Sequence, residues 1–252
     1  MSERQKRPKL LVSVASATEA VEALQGGADL IDLKRPDRGP LGRPDASDVL
    51  DLARILPDPH QRSLALGELA DGPPDLHWVA HLGEARPRFV KFGTSRCRAS
   101  DDQTPSFSWR ERARAWVESH DWQVILGIYA DFDQPGVNGL EPTRAVEEAH
   151  ALGCAGLLVD TFDKANPTRW YRQPAPPITP DWVAHARASG LLVALAGSLD
   201  AQAIPRLATW QPDFIAVRSA ACLHGDRRGP IDPRRVEHLR LLLDQMSPDE
   251  AL

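Results

Sequence analysis

Three of the chain's five lysines, Lys34, Lys91 and Lys164, stand in or just beyond short apolar runs: "LIDLK", "FVKFG" and "LLVDTFDK". The remaining basic residues include twenty-five arginines, so lysine at these places is informative. An amine held near other cations or away from water loses its proton near neutral pH and attacks carbonyls, which a guanidinium does not. Several lysines facing one cavity therefore point to imine chemistry. Carboxylates accompany them: Asp32 stands two residues before Lys34, hence on the same side of a strand, and Asp160 stands four before Lys164. Glu68 follows the run "RSLALG". Such acids can shuttle protons and keep a second lysine charged. The plainer alternative for Lys34 is a strand-end ion pair with Asp32 or Asp37. Lys6 and Lys9, in "RQKRPKL", read as part of a solvated lead-in.

The apolar runs recur with a regular partner. "LLVSVA", "LIDLK", "RSLALG", "RFVKFGT", "QVILGIYA", "GLLVDT", "LLVALAGS" and "FIAVRSA" are each followed by a stretch with apolar residues every three or four positions, giving eight strand-helix units. Alternation of this kind demands a parallel sheet covered on its outside, and eight units closing on themselves give a single (β/α)8 TIM barrel. The expectation is one domain over residues 1–252 with short mobile termini. A doubly wound sheet needs fewer units and often has GxGxxG after its first strand, where this chain reads "SVASATEA". Pro205 lies inside the seventh helical pattern and should delay or kink that helix.

In such a barrel the reactive positions are the C-terminal strand ends, which here carry Asp32, Lys34, Lys91, Asp160 and Lys164. The turns after strands seven and eight are the usual phosphate seat. There Gly197 and Ser198 permit close backbone approach, and Arg218, Ser219 and Arg227 surround it. A second anion could sit at "KRPDRGPLG", with Gly39, Gly42 and Arg38.

Other classes fare worse. A net charge of −5 argues against general binding to nucleic acid or anionic lipid, and no apolar stretch approaches the roughly 20 residues of a membrane span. The chain reads as cytoplasmic. Cys97, Cys154 and Cys222 lack CxxC spacing and read as reduced thiols. His77 and His81 in "HWVAH" have helical metal spacing, but Trp78 replaces the expected Glu and no third ligand is evident, so no metal is expected. No GxSxG occurs, and His224 is the only histidine near a strand-end loop, where it could move a proton.

"GGADLIDLKRPDRGPLG", with "LLVSV", "FVKFG", "LLVDTFDK", "LAGSL" and "VRSAACLHGDR" in the same order, resembles the (5-formylfuran-3-yl)methyl phosphate synthase family over most of the chain. The resemblance implies a (β/α)8 barrel condensing two molecules of glyceraldehyde 3-phosphate into a furan aldehyde phosphate, with loss of one phosphate and water, for a methanofuran-type carrier or another furan metabolite. It implies the Schiff-base lysine at Lys34, the proton-accepting lysine at Lys91, and assisting groups at Asp32, Asp160 and Lys164. No metal or organic cofactor is required for that chemistry. Two departures stand out: Glu68 occupies a place where Asp is usual, and Ser219 one where Gly is common. Barrel and phosphate seat alone also admit another phosphosugar aldolase or isomerase, or a barrel that binds phosphometabolites without turnover. Exposed Trp or Leu on outer helices could serve a homo-oligomer.

Overall fold

The apolar runs fold as β1 (Lys9–Val14), β2 (Leu30–Leu33), β3 (Arg62–Glu68), β4 (Phe89–Gly93), β5 (Gln123–Tyr129), β6 (Gly156–Asp160), β7 (Leu192–Leu195) and β8 (Phe214–Val217). In this computed structural model, which describes residues 7–72, 76–98, 108–119, 121–166 and 168–245, the strands pair in parallel and in chain order. The barrel closes where β8 meets β1, from Lys9 opposite Phe214 to Val12 opposite Val217. The helices are α1 (Ala17–Gln25), α2 (Ala46–Ile55), α3 (Leu76–Leu82), α4 (Trp109–Ser119), α5 (Pro142–Ala151), α6 (Pro180–Ala188), α7 (Ala203–Ala208) and α8 (Pro233–Asp244).

Local chemistry explains where helices begin. Ser16 accepts the Glu19 amide at the start of α1. Pro142, Pro180 and Pro233 open α5, α6 and α8 behind Glu141, Thr179 and Asp232, whose side chains accept first-turn amides. Proline fits there because its missing N–H would have no helical partner. Pro205 sits third in α7, which starts late and spans only six residues, as the sequence predicts.

Strands buried on both faces divide the core in two. One part lies between strands and helices; the other fills the barrel with Leu11, Leu30, Ala65, Phe89, Ile125, Leu158, Ala194 and Ala216. Phe89 and Phe214, at the starts of their strands, meet edge to face at 6.0 Å and close the bottom. Side-chain volume decides where space remains above them. On the β7 and β8 side the inner residues are Ala194, Ala196 and Ala216. On the β4 and β5 side Leu41, from the loop after β2, drops into the barrel; a Cβ on Gly127 would come 2.5 Å from its Cδ1. The cavity is thereby displaced toward β7, β8 and β1.

Two ion pairs straddle the closing seam. Arg218 meets Glu19 at the top, and Arg240 of α8 meets Asp29, which also accepts the Leu10 amide at 2.7 Å. Lys9 is not lead-in but the exposed first residue of β1; Lys6, like the termini expected to be mobile, lies outside the described residues. Cys97, Cys154 and Cys222 are buried free thiols, and burial pushes Cys154 up to about 12. Among the described residues no helix is long and apolar enough to cross a membrane.

Candidate active site

Strand pleating sends Asp32 and Lys34 inward from β2, because the Lys34 amide still donates to Val14 O at 3.0 Å and so extends the ladder by one residue. Lys91 points inward from β4 and forms an ion pair with Asp32, both side chains being at most 3 % exposed. The other Asp32 oxygen accepts the Ser13 hydroxyl at 2.9 Å. A second pair joins Lys164 to Asp160; Lys164 Nζ also donates to Thr161 Oγ1 at 3.1 Å. Asp131, just past β5, accepts the amides of Phe162 at 2.8 Å and Asp163 at 3.0 Å. That grip fixes the turn that brings Lys164 back over Asp160.

Lys34 differs from both partners. It is 6 % exposed, lines the same pocket, and among the described residues its Nζ makes no hydrogen bond or ion pair. Burial draws its pKa down from 10.5 to about 8; Asp160 and Asp32 oppose this, while Lys164 and Lys91 reinforce it. Burial alone would raise the Asp160 carboxyl, yet Lys164 and Lys34 hold it below the ordinary value. The site thus holds two lysine–carboxylate pairs and leaves a third amine poised to lose its proton.

The pocket opens at the C-terminal strand ends and is lined there by Ser13, Asp32, Lys34, Lys91, Asp160 and Lys164. Gly197, Ser198 and Ser219 line its β7–β8 side. Gly197 has φ +93°, and a Cβ there would come 2.7 Å from Trp170 Nε1, which donates to Ala196 O at 2.9 Å. Ser198 follows at φ +56°, in the left-handed region that few non-glycine residues adopt. Among the described residues the amides of Gly197, Ser198, Leu199, Ser219 and Ala220 donate to no protein acceptor, so this turn is a cradle of free N–H groups.

Arg218 requires a correction. Its guanidinium lines the pocket, but its donors are engaged by the protein: Glu19 takes both terminal nitrogens, Ser13 O accepts at 3.2 Å, Arg227 O at 3.0 Å and Gly229 O at 3.3 Å. Arg218 holds the loop after β8 in place and has little left for a phosphate. Arg227, whose carbonyl it grips, carries the unengaged guanidinium. That side chain lines the pocket without an acidic partner among the described residues; burial lowers its pKa and Asp160 opposes the effect.

Three other expectations change. Glu68 does not join the lysines, because the β3–β4 register shifts between Ala65 and Glu68. Its carboxylate accepts the Tyr129 hydroxyl and the Ser95 amide, filling the space a Cβ on Gly93 would take. Burial, then Glu68, pushes Tyr129 well above its usual pKa. The loop "KRPDRGPLG" is no anion seat: Arg38 is bound to Asp45 at 2.8 and 2.9 Å, Asp37 turns to Arg35, and Gly42 is needed because a Cβ would lie 2.1 Å from Arg35 O. The turn serves to deliver Leu41. His224 is exposed and stands outside the pocket lining. The His77 side chain lies outside what the structure describes, and among the described residues no cluster of metal-binding groups occurs.

Sequence reading missed Ser13 and Glu19. Ser13 had a signal, since it shares the inward phase of Leu11. Glu19 acts across 199 residues of chain and left none.

The family model described as 4-HFC-P synthase matches residues 10–240. A relative from Methanopyrus kandleri, (5-formylfuran-3-yl)methyl phosphate synthase, is 31% identical over 92% of this chain and 98% of its own length. One of the same name from Methanocaldococcus jannaschii is 31% identical over 92% and 98%. Solved structures share the fold alone. Thiamine phosphate pyrophosphorylase from Pyrococcus furiosus superposes with a TM-score of 0.58 at 15% identity, covering 96% of this chain and 98% of that one. For phosphoribosyl anthranilate isomerase from Thermotoga maritima the values are 0.59, 13%, 95% and 100%.

Proposed function

Since this chain belongs to the 4-HFC-P synthase family, we propose that its pocket condenses two molecules of glyceraldehyde 3-phosphate into (5-formylfuran-3-yl)methyl phosphate through an imine on Lys34. The atoms balance with release of one inorganic phosphate and two waters, without net oxidation. The carrying observation is the buried, unengaged Lys34 amine beside two lysine–carboxylate pairs.

The free amine adds to the aldehyde of the first triose and expels water. The resulting protonated imine acidifies the adjacent carbon. Lys91 takes that proton in its free-amine form, after passing its own to Asp32, and the enamine attacks the aldehyde of the second triose. Asp160 and Lys164 pass protons as one phosphate and two waters leave and the ring closes, and hydrolysis of the last imine returns Lys34. The N–H cradle at Gly197, Ser198 and Ser219 with Arg227 binds a phosphate, holding the trioses together so that the aldol loses its bimolecular cost. Arg218 and Glu19 keep that loop in register.

Borohydride added with glyceraldehyde 3-phosphate should leave a triose-derived mass increase on the peptide containing Lys34. Phosphate should be released in step with a furan aldehyde absorbance. Absence of the adduct, with product still forming, would remove the imine from the mechanism.

A further inference from the structure

The reaction above brings two phosphate groups to one mouth, and the inner cradle has amides for one. Around the rim most arginines are neutralised: Arg38 by Asp45, Arg96 by Asp71, and Arg35 by Asp37 and Asp48. The exception lies outside β7 and β8. There a groove continues from the pocket, sharing Lys164, Ser198, Leu199, Ser219 and Arg227 as common walls, and runs out over the start of α8. Its outer wall carries Arg234, Arg235 and His238, all exposed. Arg234's guanidinium has no carboxylate partner among the described residues, while Arg235 is oriented by one hydrogen bond from Nε to Ala220 O at 2.9 Å, leaving its terminal nitrogens outward. Against these cations the groove lining carries two carboxylates: Asp200, paired with Arg169 and Arg172, and Asp226, which accepts the Arg228 amide. In a chain of net charge −5, a groove with surplus cations opening into the amine pocket is a local anion site.

Resting on the reading above, we propose that this groove seats the phosphate of the second triose, with Arg234 and Arg235 as its terminal donors and Arg227 standing between it and the inner cradle. The inner phosphate is held by amides and fixed in place. The outer one is held by exposed arginine side chains at the mouth, which suits a substrate that must arrive after the imine has formed.

The test is calorimetry with inorganic phosphate on the full-length protein and on Arg234→Ser/Arg235→Ser, followed by steady-state kinetics with glyceraldehyde 3-phosphate. The intact protein should bind two phosphates and the double variant one. Loss of an arginine–phosphate contact should raise KM by roughly tenfold or more while the Lys34 adduct still forms. Equal stoichiometry in both proteins, or an unchanged KM, overturns the groove assignment. If two phosphates bind and the variant binds one, but no furan forms from the triose, the groove stands and the assigned reaction falls. Far-ultraviolet circular dichroism and the melting temperature of the variant confirm that its fold is kept.

Discussion

In the proposed mechanism a single amine carries the chemistry, and its protonation sets two measurable opposites. Folded Lys34 takes up its proton only below about pH 8, whereas in the unfolded chain it does so below its ordinary value of 10.5. Below pH 8 both states are charged and the fold bears the whole cost of burying that charge, roughly 3 kcal/mol for such a shift. From 8 to 10.5 the unfolded chain binds the extra proton, and stability rises with pH. Lys34→Met should therefore be more stable than the parent at pH 7, with the gain shrinking toward pH 10; urea denaturation across that range checks it. Activity has the reverse sense: kcat/KM should climb from pH 6 and level off above about 8 as the amine is freed. Asp160→Asn removes the larger of the two charges that raise the Lys34 pKa, so the borohydride-trapping profile of that variant should shift to lower pH. Four of the five groups in this cluster were readable from sequence because strand phase alone aims them inward; Lys164 stands in the loop after β6 and is brought back by the turn that Asp131 holds. The role of Arg218 was not, since a count of its engaged donors exists only once residues near both ends of the chain meet.

Loops and strand ends decide how that amine is walled. Leu41, 1 % exposed, fills the β4–β5 side of the barrel, so Leu41→Ala should cost about 2–5 kcal/mol. Its loop is legible as a turn from its Pro and Gly residues, but not its plug: only the closed barrel places Gly127 beneath it. Glu68 went astray for a related reason, because one register shift in β3 changes which residue faces inward. Helix and strand order, by contrast, followed from periodicity alone. On the far side, Glu19→Gln should loosen Arg218 and with it the position of Arg227. The expected outcome is a raised KM with kcat less affected, and partial recovery in Glu19→Asp. A purely destabilising effect would instead lower the active fraction without moving KM.

Across the molecule, the first and last strands must find each other over the length of the chain before any site exists. The seam between β8 and β1 is pinned at its two ends by Arg218–Glu19 and Arg240–Asp29. Arg240→Met should cost about 1–3 kcal/mol, less than a fully buried pair because Asp29 keeps partial solvent contact. Chemical denaturation should show the loss. Combined with Glu19→Gln the losses should exceed their sum if both ties guard the same closure, which a double-mutant cycle measures.

On the proposed mechanism, a nucleophile freed near pH 8 does not wait for its own substrate. The same buried, unengaged nitrogen at position 34 would be open to short dicarbonyls and other small electrophiles that form wherever trioses accumulate. Protection then falls to kinetics: high triose concentrations would keep the nitrogen occupied, and starvation would leave it exposed to slow poisoning.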